Sequence, residues 1–237
     1  MSLPDDADFI TRYQAEVDRW PRPAVTVDLV VFTVRDGALH LLLVRRREPP
    51  FAETWALPGG FVRVGDGLVD QGEDLDAAAR RELTEETGLS PGDVRLEQLY
   101  TFGAAGRDPR MRVISVAWYA LVRPELAPTA GGDAAEAAWH PAAARPPLAF
   151  DHDRIVDTAL ARLRGKLDYS PIAFDLVPAT FTVAELHAVH DAIRAEPQDA
   201  ANFRRRFRRL EEDGLVAPVG QRPTGKRPAT LYRFTSR

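Results

Sequence analysis

Hydrophobic residues alternate with polar ones along the first half of the chain, in a pattern typical of β-strands. Two apolar runs, residues 25–34 and 39–44, flank the turn Arg35-Asp36-Gly37, and this arrangement predicts a β-hairpin. Residues 94–102 and 112–122 are further strand candidates, the second because its apolar side chains alternate. The first half is therefore predicted to consist mainly of strands.

Four segments instead repeat apolar residues every three or four positions, which is the spacing of one helix face. They are residues 74–87, 151–167, 182–193 and 199–212. Gly88 and Gly214 are expected to end the first and the last of them, because glycine adopts the left-handed backbone of a helix terminus without strain. Thr182 and Glu185 match a capping box at the start of the third helix. The second helix is expected to connect the two parts of the chain.

Composition indicates a folded protein and is compatible with a reducing compartment. Its 237 residues, 45% of them hydrophobic, suffice for one large domain or for a medium one with a small satellite. The absence of cysteine excludes disulfides, thiol chemistry and Cys-ligated metal sites. No apolar run approaches the roughly 18 residues of a membrane span, and the acidic N-terminus lacks the layout of a signal peptide. We therefore expect a soluble, cytoplasmic protein with no membrane partner.

Charge is distributed unevenly along the chain. The net charge is −4, but the residues from Ala201 onward hold ten basic and three acidic side chains, hence +7. The first 200 residues hold 21 basic and 32 acidic side chains, hence −11. This asymmetry suggests an anion-binding module, most often one for nucleic acid, joined to an acidic body. Arginine outnumbers lysine 29 to 2, a bias that codon usage also produces, so composition alone does not decide.

Three glutamates on the first predicted helix carry the strongest chemical signal. Glu82, Glu85 and Glu86 are spaced i, i+3, i+4 and therefore project from one helix face. Like charges at this spacing repel each other, so their clustering suggests a site for a hard cation, Mg²⁺ or Mn²⁺. Such an ion would bridge a diphosphate and activate a water for attack on phosphorus. The alternative is a solvated helix face on which Arg80 and Arg81 act as counter-charges.

A longer motif surrounds these glutamates. Its spacing is Gly67-x5-Glu73-x7-Arg81-Glu82-Leu83-x-Glu85-Glu86-x-Gly88-Leu89, which resembles the box of the Nudix family at every defined position. The resemblance implies that Glu85 and Glu86 are the principal metal ligands and that Glu82 is an additional one. It further implies that Arg81 orients a glutamate and that Glu73 stabilises the junction between loop and helix. In catalysis these roles fall to Arg81, Glu82, Glu85 and Glu86.

The approach to the box departs from the usual Nudix pattern. In most members the second glycine of a Pro-Gly-Gly turn opens the box, whereas here Gly60 lies thirteen residues before Glu73 and Gly67 takes that place. An insertion of about seven residues within 63–72 is therefore expected.

Several residues outside the box are assigned to ligand binding. Pro58-Gly59-Gly60 predicts a turn at which the backbone can approach a ligand closely. Arg107 and Arg110 lie in a predicted turn before a strand, where they would meet a substrate phosphate, contact a partner subunit or simply stabilise the turn. With Arg63, the ligand-binding set is Gly59, Gly60, Arg63, Arg107 and Arg110.

The histidines receive structural assignments. His152, beside two aspartates, is given a role at the entry of a helix. His187 and His190 are three residues apart, but no carboxylate partner is evident in the sequence, so both are interpreted as structural.

The fourth predicted helix and the segment after it suggest a DNA-binding module. Two helices followed by a hairpin indicate a winged helix-turn-helix. The DNA-binding candidates all lie off the apolar stripe of the helix or at the hairpin tip: Arg204, Arg205, Arg206, Arg208, Arg209, Lys226 and Arg227. Guanidinium groups on a helix of this width can contact phosphates or guanine edges in the major groove. The alternative is an arginine-rich surface helix paired with Glu211 and Glu212.

The whole arrangement resembles the NrtR-type Nudix-related transcriptional regulators. Short segments that support the resemblance include Arg107-Asp-Pro-Arg110 and Phe150-Asp-His152. It implies an α+β protein with a Nudix α/β/α sandwich and mixed sheet over residues 1–148. A linker helix and a winged helix-turn-helix would follow over residues 149–237.

The same resemblance implies a function. The protein would be a homodimeric repressor of genes for NAD biosynthesis or salvage, bound to double-stranded operator DNA. It would release the DNA when ADP-ribose or a related nucleotide occupies the Nudix pocket. The alternative is a Mg²⁺-dependent Nudix hydrolase, an ADP-ribose pyrophosphatase. The intact box allows hydrolysis, whereas many of these regulators sense without hydrolysing, so the sequence leaves enzymatic activity open.

Overall fold

A computed structural model describes residues 12, 13, 21–65, 71–92, 94–126, 137–225 and 227–235 of the chain. Within these residues nine strands are formed: β1 Ala24–Arg35, β2 Ala38–Arg45, β3 Trp55–Ala56, β4 Gly59–Phe61, β5 Arg95–Phe102, β6 Val113–Leu121, β7 Ala137–Pro141, β8 Val216–Arg222 and β9 Ala229–Phe234. The α-helices of two turns or more are α1 Leu75–Thr87, α2 His152–Lys166, α3 Val183–Arg194 and α4 Ala200–Glu212. Short 3₁₀ helices lie at Ala142–Ala144 and Ile172–Leu176.

Seven strands form one mixed sheet. The central path runs β3-β2-β1-β6-β5, with β4 paired to β1 and β7 paired to β2. Strands β1 and β6 are parallel, as the register Val25 to Ile114 shows, and the other pairs are antiparallel. The predicted hairpin of β1 and β2 is confirmed, since Arg35 pairs with Ala38 across the turn.

Both faces of this sheet are covered by helices. In β1, Val27, Leu29 and Val31 pack towards α1, while Val30 and Phe32 belong to the core on the opposite face, which includes α2. Successive strand side chains point to opposite faces, so a run without polar residues is required when both faces are buried. The α/β/α sandwich with a mixed sheet is therefore present, as expected.

The carboxylate-bearing helix α1 has the predicted limits. Asp74 precedes it, and Gly88 ends it in the left-handed conformation, with φ of 70° and its N–H donating to the carbonyl of Thr84. Ala78, Ala79 and Leu83 are buried against the sheet. These three residues form the stripe that packs on the sheet; Glu82 is buried beside Leu83, whereas Glu85 lies on the exposed side of the helix.

The C-terminal part forms a winged helix. Thr182 caps α3: its hydroxyl accepts a hydrogen bond from the Glu185 N–H, and the Glu185 carboxylate accepts one from the Thr182 N–H. The predicted capping box is thus confirmed. Strands β8 and β9 form the hairpin of the wing, and Phe181 bridges to Tyr232 at its base. Phe203 and Phe207 of α4 are buried, as their spacing predicted.

One continuous hydrophobic core joins the sheet to the winged helix. It includes Phe32 of the sheet, Leu163 of α2, Ile193 of α3 and Phe207 of α4. Helix α2 occupies the predicted segment and packs between the sheet and α3. None of the helices in the described ranges is long and apolar enough to cross a membrane.

The predicted turn at Pro58-Gly59-Gly60 is wrong in its second half. Gly59 and Gly60 open strand β4, where they pair with Asp28 and Val27 of β1. Gly59 has φ of 153°, and a Cβ there would lie 2.2 Å from the carbonyl oxygen of Val27. The glycines serve the close approach of two backbones and not a chain reversal.

Candidate functional site

The three glutamates of α1 lie beside strand β4. Glu82 is buried, Glu86 is half-buried and Glu85 is exposed. A Cβ on Gly60 would lie 2.3 Å from a carboxylate oxygen of Glu82, so this glycine lets the helix carboxylates approach the strand. The sequence placed these three side chains on one helix face, and in the structure Glu82 and Glu86 also meet the Gly59–Gly60 backbone.

Arg81 is held by the carboxylates around it. Its Nε and NH2 groups donate to the two oxygens of Glu73 at 2.9 and 2.6 Å. Its NH1 group donates to Glu82 Oε1 at 2.7 Å and to Glu85 Oε2 at 2.8 Å. Hydrogen bonding to Arg81 lowers the pKa of Glu73 to about 2. Arg81 thus sets the positions of two box glutamates relative to the loop residue Glu73.

A second arginine reaches the same cluster. Arg63 donates through NH2 to Glu85 Oε1 at 3.1 Å, and its N–H donates to Glu73 Oε1 at 2.8 Å. Both oxygens of Glu85 are therefore engaged by guanidinium groups. Residues 66–70 of the range expected to hold the insertion, including Gly67, lie outside the described residues.

The environment of Glu82 and Glu86, the two less exposed glutamates, disfavours their ionised form. Burial, followed by the neighbouring charge of Glu82, raises the pKa of Glu86 to about 7. Burial also raises the pKa of Glu82, although Arg81 opposes that effect. Negative charge on this helix face is therefore costly without a nearby cation.

A cleft opens next to these glutamates. It consists of two adjoining cavities of about 510 and 190 Å³ that share Arg46, Leu57 and Gly59. Glu86 lines the larger cavity, and Gly60, Arg107 and Arg110 line the smaller one. Four of the five predicted ligand-binding residues thus line one cleft, while Arg63 lies with the glutamates.

Cations and aromatic rings alternate along the cleft. The guanidinium groups of Arg46 and Arg110 lie 4.8 and 5.8 Å from the ring centre of Phe150. Arg110 also lies 5.5 Å from the ring of Phe61. Sequence reasoning did not assign Arg46 or either phenylalanine to this site. Flat rings and cations at one cleft suit a ligand that has both an aromatic base and phosphate groups.

A buried polar network forms the floor of the cleft. Arg107 donates to Asp151 at 2.7 and 3.1 Å and to Asp28 at 3.3 Å. Ser115 also donates to Asp28, and His152 Nε2 lies 3.5 Å from it. The predicted turn arginine Arg107 therefore forms ion pairs across the fold.

Two more polar groups belong to this floor. The Nδ1 atom of His152 accepts a hydrogen bond from the Leu57 N–H at 2.9 Å, and burial lowers the pKa of His152, so the ring stays neutral. The buried Thr26 hydroxyl lines the cleft without a hydrogen-bond partner in the described part of the chain. The sequence analysis placed His152 at the entry of a helix, which it begins, but its contact with Leu57 and the position of Thr26 in the cleft could not be seen, because these residues are distant along the chain.

The DNA-binding candidates of α4 are presented on the surface. All five arginines are exposed, while Phe203 and Phe207 face inwards. Among the residues the structure describes, these arginines form no ion pair with carboxylates; Arg205 bonds to Asn202. The alternative of a helix whose arginines are neutralised by Glu211 and Glu212 is therefore not favoured.

The wing lies next to this helix. Arg227 of the wing and Arg204 of α4 both line a cavity of about 520 Å³ between the wing, α3 and α4. Lys226, the other candidate at the hairpin tip, lies outside the described residues.

The histidines of α3 pack within the winged helix. His187 stacks on Phe203, and its Nε2 donates to the carbonyl of Gln198 at 3.1 Å. Its Nε2 also lies 3.6 Å from Asp191, so the expectation that no carboxylate partner is placed was wrong. The partner sits one helical turn further along α3. A structural role for His187 is consistent with these contacts.

The sandwich and its carboxylate helix define a Nudix protein, and the winged helix adds a module of the kind that binds DNA. Residues 22–159 match the NUDIX domain, and residues 173–234 match the NrtR DNA-binding winged helix domain. The ADPR responsive transcriptional repressor NtrR of Acinetobacter baylyi is 36% identical over 230 residues, covering 95% of this chain and 87% of that protein. The chain belongs to the NrtR-type family of Nudix-related transcriptional regulators.

Solved structures show the same relationship. NrtR of Shewanella oneidensis in complex with a 27mer DNA has a TM-score of 0.75 at 34% identity, covering 89% of this chain and 93% of that one. The NUDIX domain of the same protein in complex with ADP ribose has a TM-score of 0.58 at 33% identity, covering 68% of this chain and 99% of that one.

Nudix hydrolases generally use a divalent metal. The oxygen ligands of α1 fit such an ion in kind, and a cation beside Glu82 and Glu86 would offset the cost of their burial. In the described ranges, however, no three His, Cys, Asp or Glu side chains are gathered into a metal-holding group. Since Arg63 and Arg81 engage both oxygens of Glu85, an ion at this carboxylate would have to displace them.

Proposed function

We propose that this protein is a transcriptional repressor of genes for NAD biosynthesis or salvage. In this proposal it binds operator DNA as a homodimer and releases it when ADP-ribose or a related nucleotide enters the cleft beside α1. The observation that carries the proposal is that one chain combines this cleft with the exposed arginine face of α4. Its relatives, an ADPR responsive repressor and an NrtR crystallised with DNA, support both halves.

The arginine face supports the DNA half. Arg205, Arg208 and Arg209 lie opposite the buried phenylalanines of α4, at the outermost part of the helix. A helix of this width enters the major groove, and guanidinium groups contact phosphates or the edges of guanine. Arg227 on the wing would contact the neighbouring backbone. In a homodimer, two such helices about 34 Å apart would read both halves of a palindrome.

The cleft supports the nucleotide half. Its larger cavity, about 510 Å³, has the size of an ordinary small-molecule site. Phe150 and Phe61 offer ring faces for an adenine base, while Arg46 and Arg110 supply positive charge for a diphosphate. The related NUDIX domain of Shewanella oneidensis NrtR was crystallised with ADP ribose, a ligand that has these parts.

Glu82, Glu85 and Glu86 would hold Mg²⁺ or Mn²⁺ in this proposal. The ion would neutralise diphosphate charge and, in a hydrolase, would activate a water. Arg81 keeps Glu82 and Glu85 in place through NH1, and Glu86 meets the cleft directly. The intact set of box residues is the observation that favours the second candidate function, an ADP-ribose pyrophosphatase. The engagement of Glu85 by Arg63 and Arg81 instead favours sensing over rapid turnover.

Release of DNA requires a difference in ligand affinity between two arrangements of the protein. A ligand that binds both arrangements equally shifts nothing. The nucleotide must therefore bind more tightly to the arrangement in which the two winged helices do not fit the operator. The continuous core from the sheet to α4 provides the physical connection for this effect.

The test is a gel-shift titration of DNA from upstream of NAD-metabolism genes, with and without ADP-ribose, alongside a Mg²⁺-dependent assay for AMP release. We expect a shift that ADP-ribose reverses. No shift at any protein concentration would end the regulator proposal. AMP release that Glu85→Gln and Glu86→Gln both abolish would support the hydrolase, and its absence would reject it.

A further inference from the structure

The polar network under the cleft connects the ligand site with the first turn of α2. Its members are Asp28, Arg107, Ser115, Asp151 and His152. We propose that the ion pair between Arg107 and Asp151 transmits nucleotide binding to the winged helix, with Asp151 as the positioning residue. The inference rests on the proposed function and names the residues that carry its regulation.

Arg107 is shared between two carboxylates. Its side chain is 4% exposed, and it forms a two-point ion pair with Asp151 and a single contact with Asp28. Asp28 is stabilised independently by Ser115 and faces His152. Asp28 therefore retains partners when Arg107 moves, whereas no other ion pair holds Asp151 in the described residues.

The cleft gives a ligand access to Arg107. Arg107 lines the smaller cavity together with Gly59 and His152, and His152 in turn holds the backbone of Leu57. An anionic group that enters this cavity competes with Asp151 for the guanidinium. Binding of a phosphate or a similar anion therefore weakens the contact between Arg107 and Asp151.

Asp151 has a second use at the start of α2. It occupies the N-cap position, yet its side chain accepts no capping hydrogen bond, because its oxygens bind Arg107. The first N–H groups of a helix favour a negative charge. The N–H groups of His152 and Arg154 already donate to the carbonyls of Ala149 and Asp151, so the N–H of Asp153 is the group left for a carboxylate at this helix start. Once Arg107 turns to the ligand, Asp151 can cap α2 instead. The start of α2 thus has two hydrogen-bonded arrangements, and the ligand selects one of them.

Helix α2 carries this change to the winged helix. Its 15 residues span about 22 Å. Near its end, Arg164 donates to the carbonyl of Ile193 in the last turn of α3 at 3.0 Å, and Leu163 and Ile193 share the same core. Packed cores transmit a shift of a helix and do not absorb it. A change at Asp151 therefore reaches α3, against which α4 packs.

Coupling between the cleft and the winged helix predicts opposite changes in the affinities for DNA and for ADP-ribose, whereas simple structural damage lowers both. The substitution Asp151→Asn weakens the ion pair in the same way as the ligand, so the variant resembles the ligand-bound state. We expect its affinity for the DNA that the wild-type protein shifts to fall at least about fivefold. By reciprocity, its affinity for ADP-ribose, measured by calorimetry, rises at least about threefold. Asp151→Glu, which restores the carboxylate, returns both affinities towards wild type.

The matched control is Asp157→Asn, which removes the same charge from α2. Asp157 pairs with Arg145 at 2.7 Å and does not line the cleft. Both affinities of this variant should stay within about twofold of wild type. The proposal is overturned if Asp151→Asn binds DNA more tightly and ADP-ribose more weakly than the wild-type protein. It is also overturned if both affinities are unchanged or if both are lost.

A measurement on the wild-type protein keeps the test independent of variants and of DNA. ADP-ribose should change the hydrogen exchange of amides 152–156 at the start of α2, and unchanged exchange there contradicts the inference. If the wild-type protein binds no DNA, the proposed function fails while the exchange and calorimetry still decide on the network. If ADP-ribose releases the wild-type protein from DNA and the Asp151→Asn variant has the same two affinities as the wild type, only the inference fails.

Discussion

Arg81 and Glu73 form a two-point ion pair, with Nε to Oε2 at 2.9 Å and NH2 to Oε1 at 2.6 Å. Both side chains are only 16% exposed. The pair fastens the loop before α1 to the helix that bears the glutamates, and Arg63 adds its N–H to the same carboxylate. The attachment of this loop to α1 thus depends on the ionised form of one glutamate.

The first prediction concerns Glu73→Gln. Hydrogen bonds from Arg81 lower the pKa of Glu73 to about 2 in the folded protein, below its ordinary value of 4.5. The ionised group therefore stabilises the fold above pH 4.5, and this contribution is lost as the pH falls towards 2. At pH 7 the variant should lose roughly 1 to 3 kcal/mol of unfolding free energy, and at pH 3 the difference should shrink. Denaturant titrations of both proteins at the two pH values measure it.

The control for this prediction is Asp76→Asn, which breaks the exposed pair with Arg80 on the same helix. Exposed pairs of this kind contribute about 0 to 1 kcal/mol. The prediction is contradicted if Glu73→Gln loses no more unfolding free energy than the control, or if its loss is larger at pH 3 than at pH 7.

The second prediction concerns cation binding by α1. Arg63 and Arg81 occupy the oxygens of Glu85, so removing one guanidinium should favour a divalent cation. Arg63→Gln should raise the affinity for Mn²⁺ about threefold to tenfold, since removing a nearby unit charge changes the energy by on the order of 1 kcal/mol. Calorimetric titration of the full chain with Mn²⁺ measures this. Arg80→Gln, whose partner is Asp76, is the matched control, and an unchanged or lower affinity in Arg63→Gln contradicts the prediction.

Local patterns predicted most of the fold. The hairpin of β1 and β2, the limits of α1 and the capping box at Thr182 follow from spacing between near neighbours, and all are present. The position of the box glutamates on one face of α1 is local in the same way. The α/β/α arrangement of the layers was predicted from the resemblance to a known family, because local periodicity does not determine it.

The floor of the cleft could not be predicted, because its contacts span the chain. Asp28 and Ser115 are 87 residues apart and meet only because β1 and β6 are parallel neighbours. Arg107 and Asp151 are 44 residues apart. The sequence allowed three roles for Arg107: contact with a phosphate, contact with a partner subunit or stabilisation of a turn. None of these roles involves the buried carboxylates of other elements with which it pairs. Similarly, a Gly-Gly pair indicates a turn until its neighbouring strand is known.

The third prediction concerns His190 and low pH. Burial, assisted by the positive charge of Arg206, lowers the pKa of His190 to about 4, below the ordinary value of 6.5. The unfolded chain therefore binds this proton more readily, and stability falls as the pH drops from about 6.5 to about 4. His190→Leu should flatten this part of the pH dependence of the melting temperature. His40→Gln, in which an imidazole of the β1–β2 hairpin is removed, is the control. A slope unchanged by His190→Leu would contradict the assignment.

The last prediction separates the arginines of α4 by their position. Arg205 and Arg209 lie on the side opposite Phe203 and Phe207, so they should contact DNA phosphates directly. Replacing both by Ala should weaken binding to the shifted DNA fragment and reduce the slope of log affinity against log salt by about 2, since each phosphate contact contributes roughly 0.9. Arg80→Ala, on α1, removes an exposed arginine from the other part of the chain and should leave the slope unchanged. Fluorescence anisotropy at several salt concentrations measures both quantities. A double variant that keeps the wild-type slope would show that DNA is bound by another surface, because the outermost charges of α4 would then make no phosphate contact.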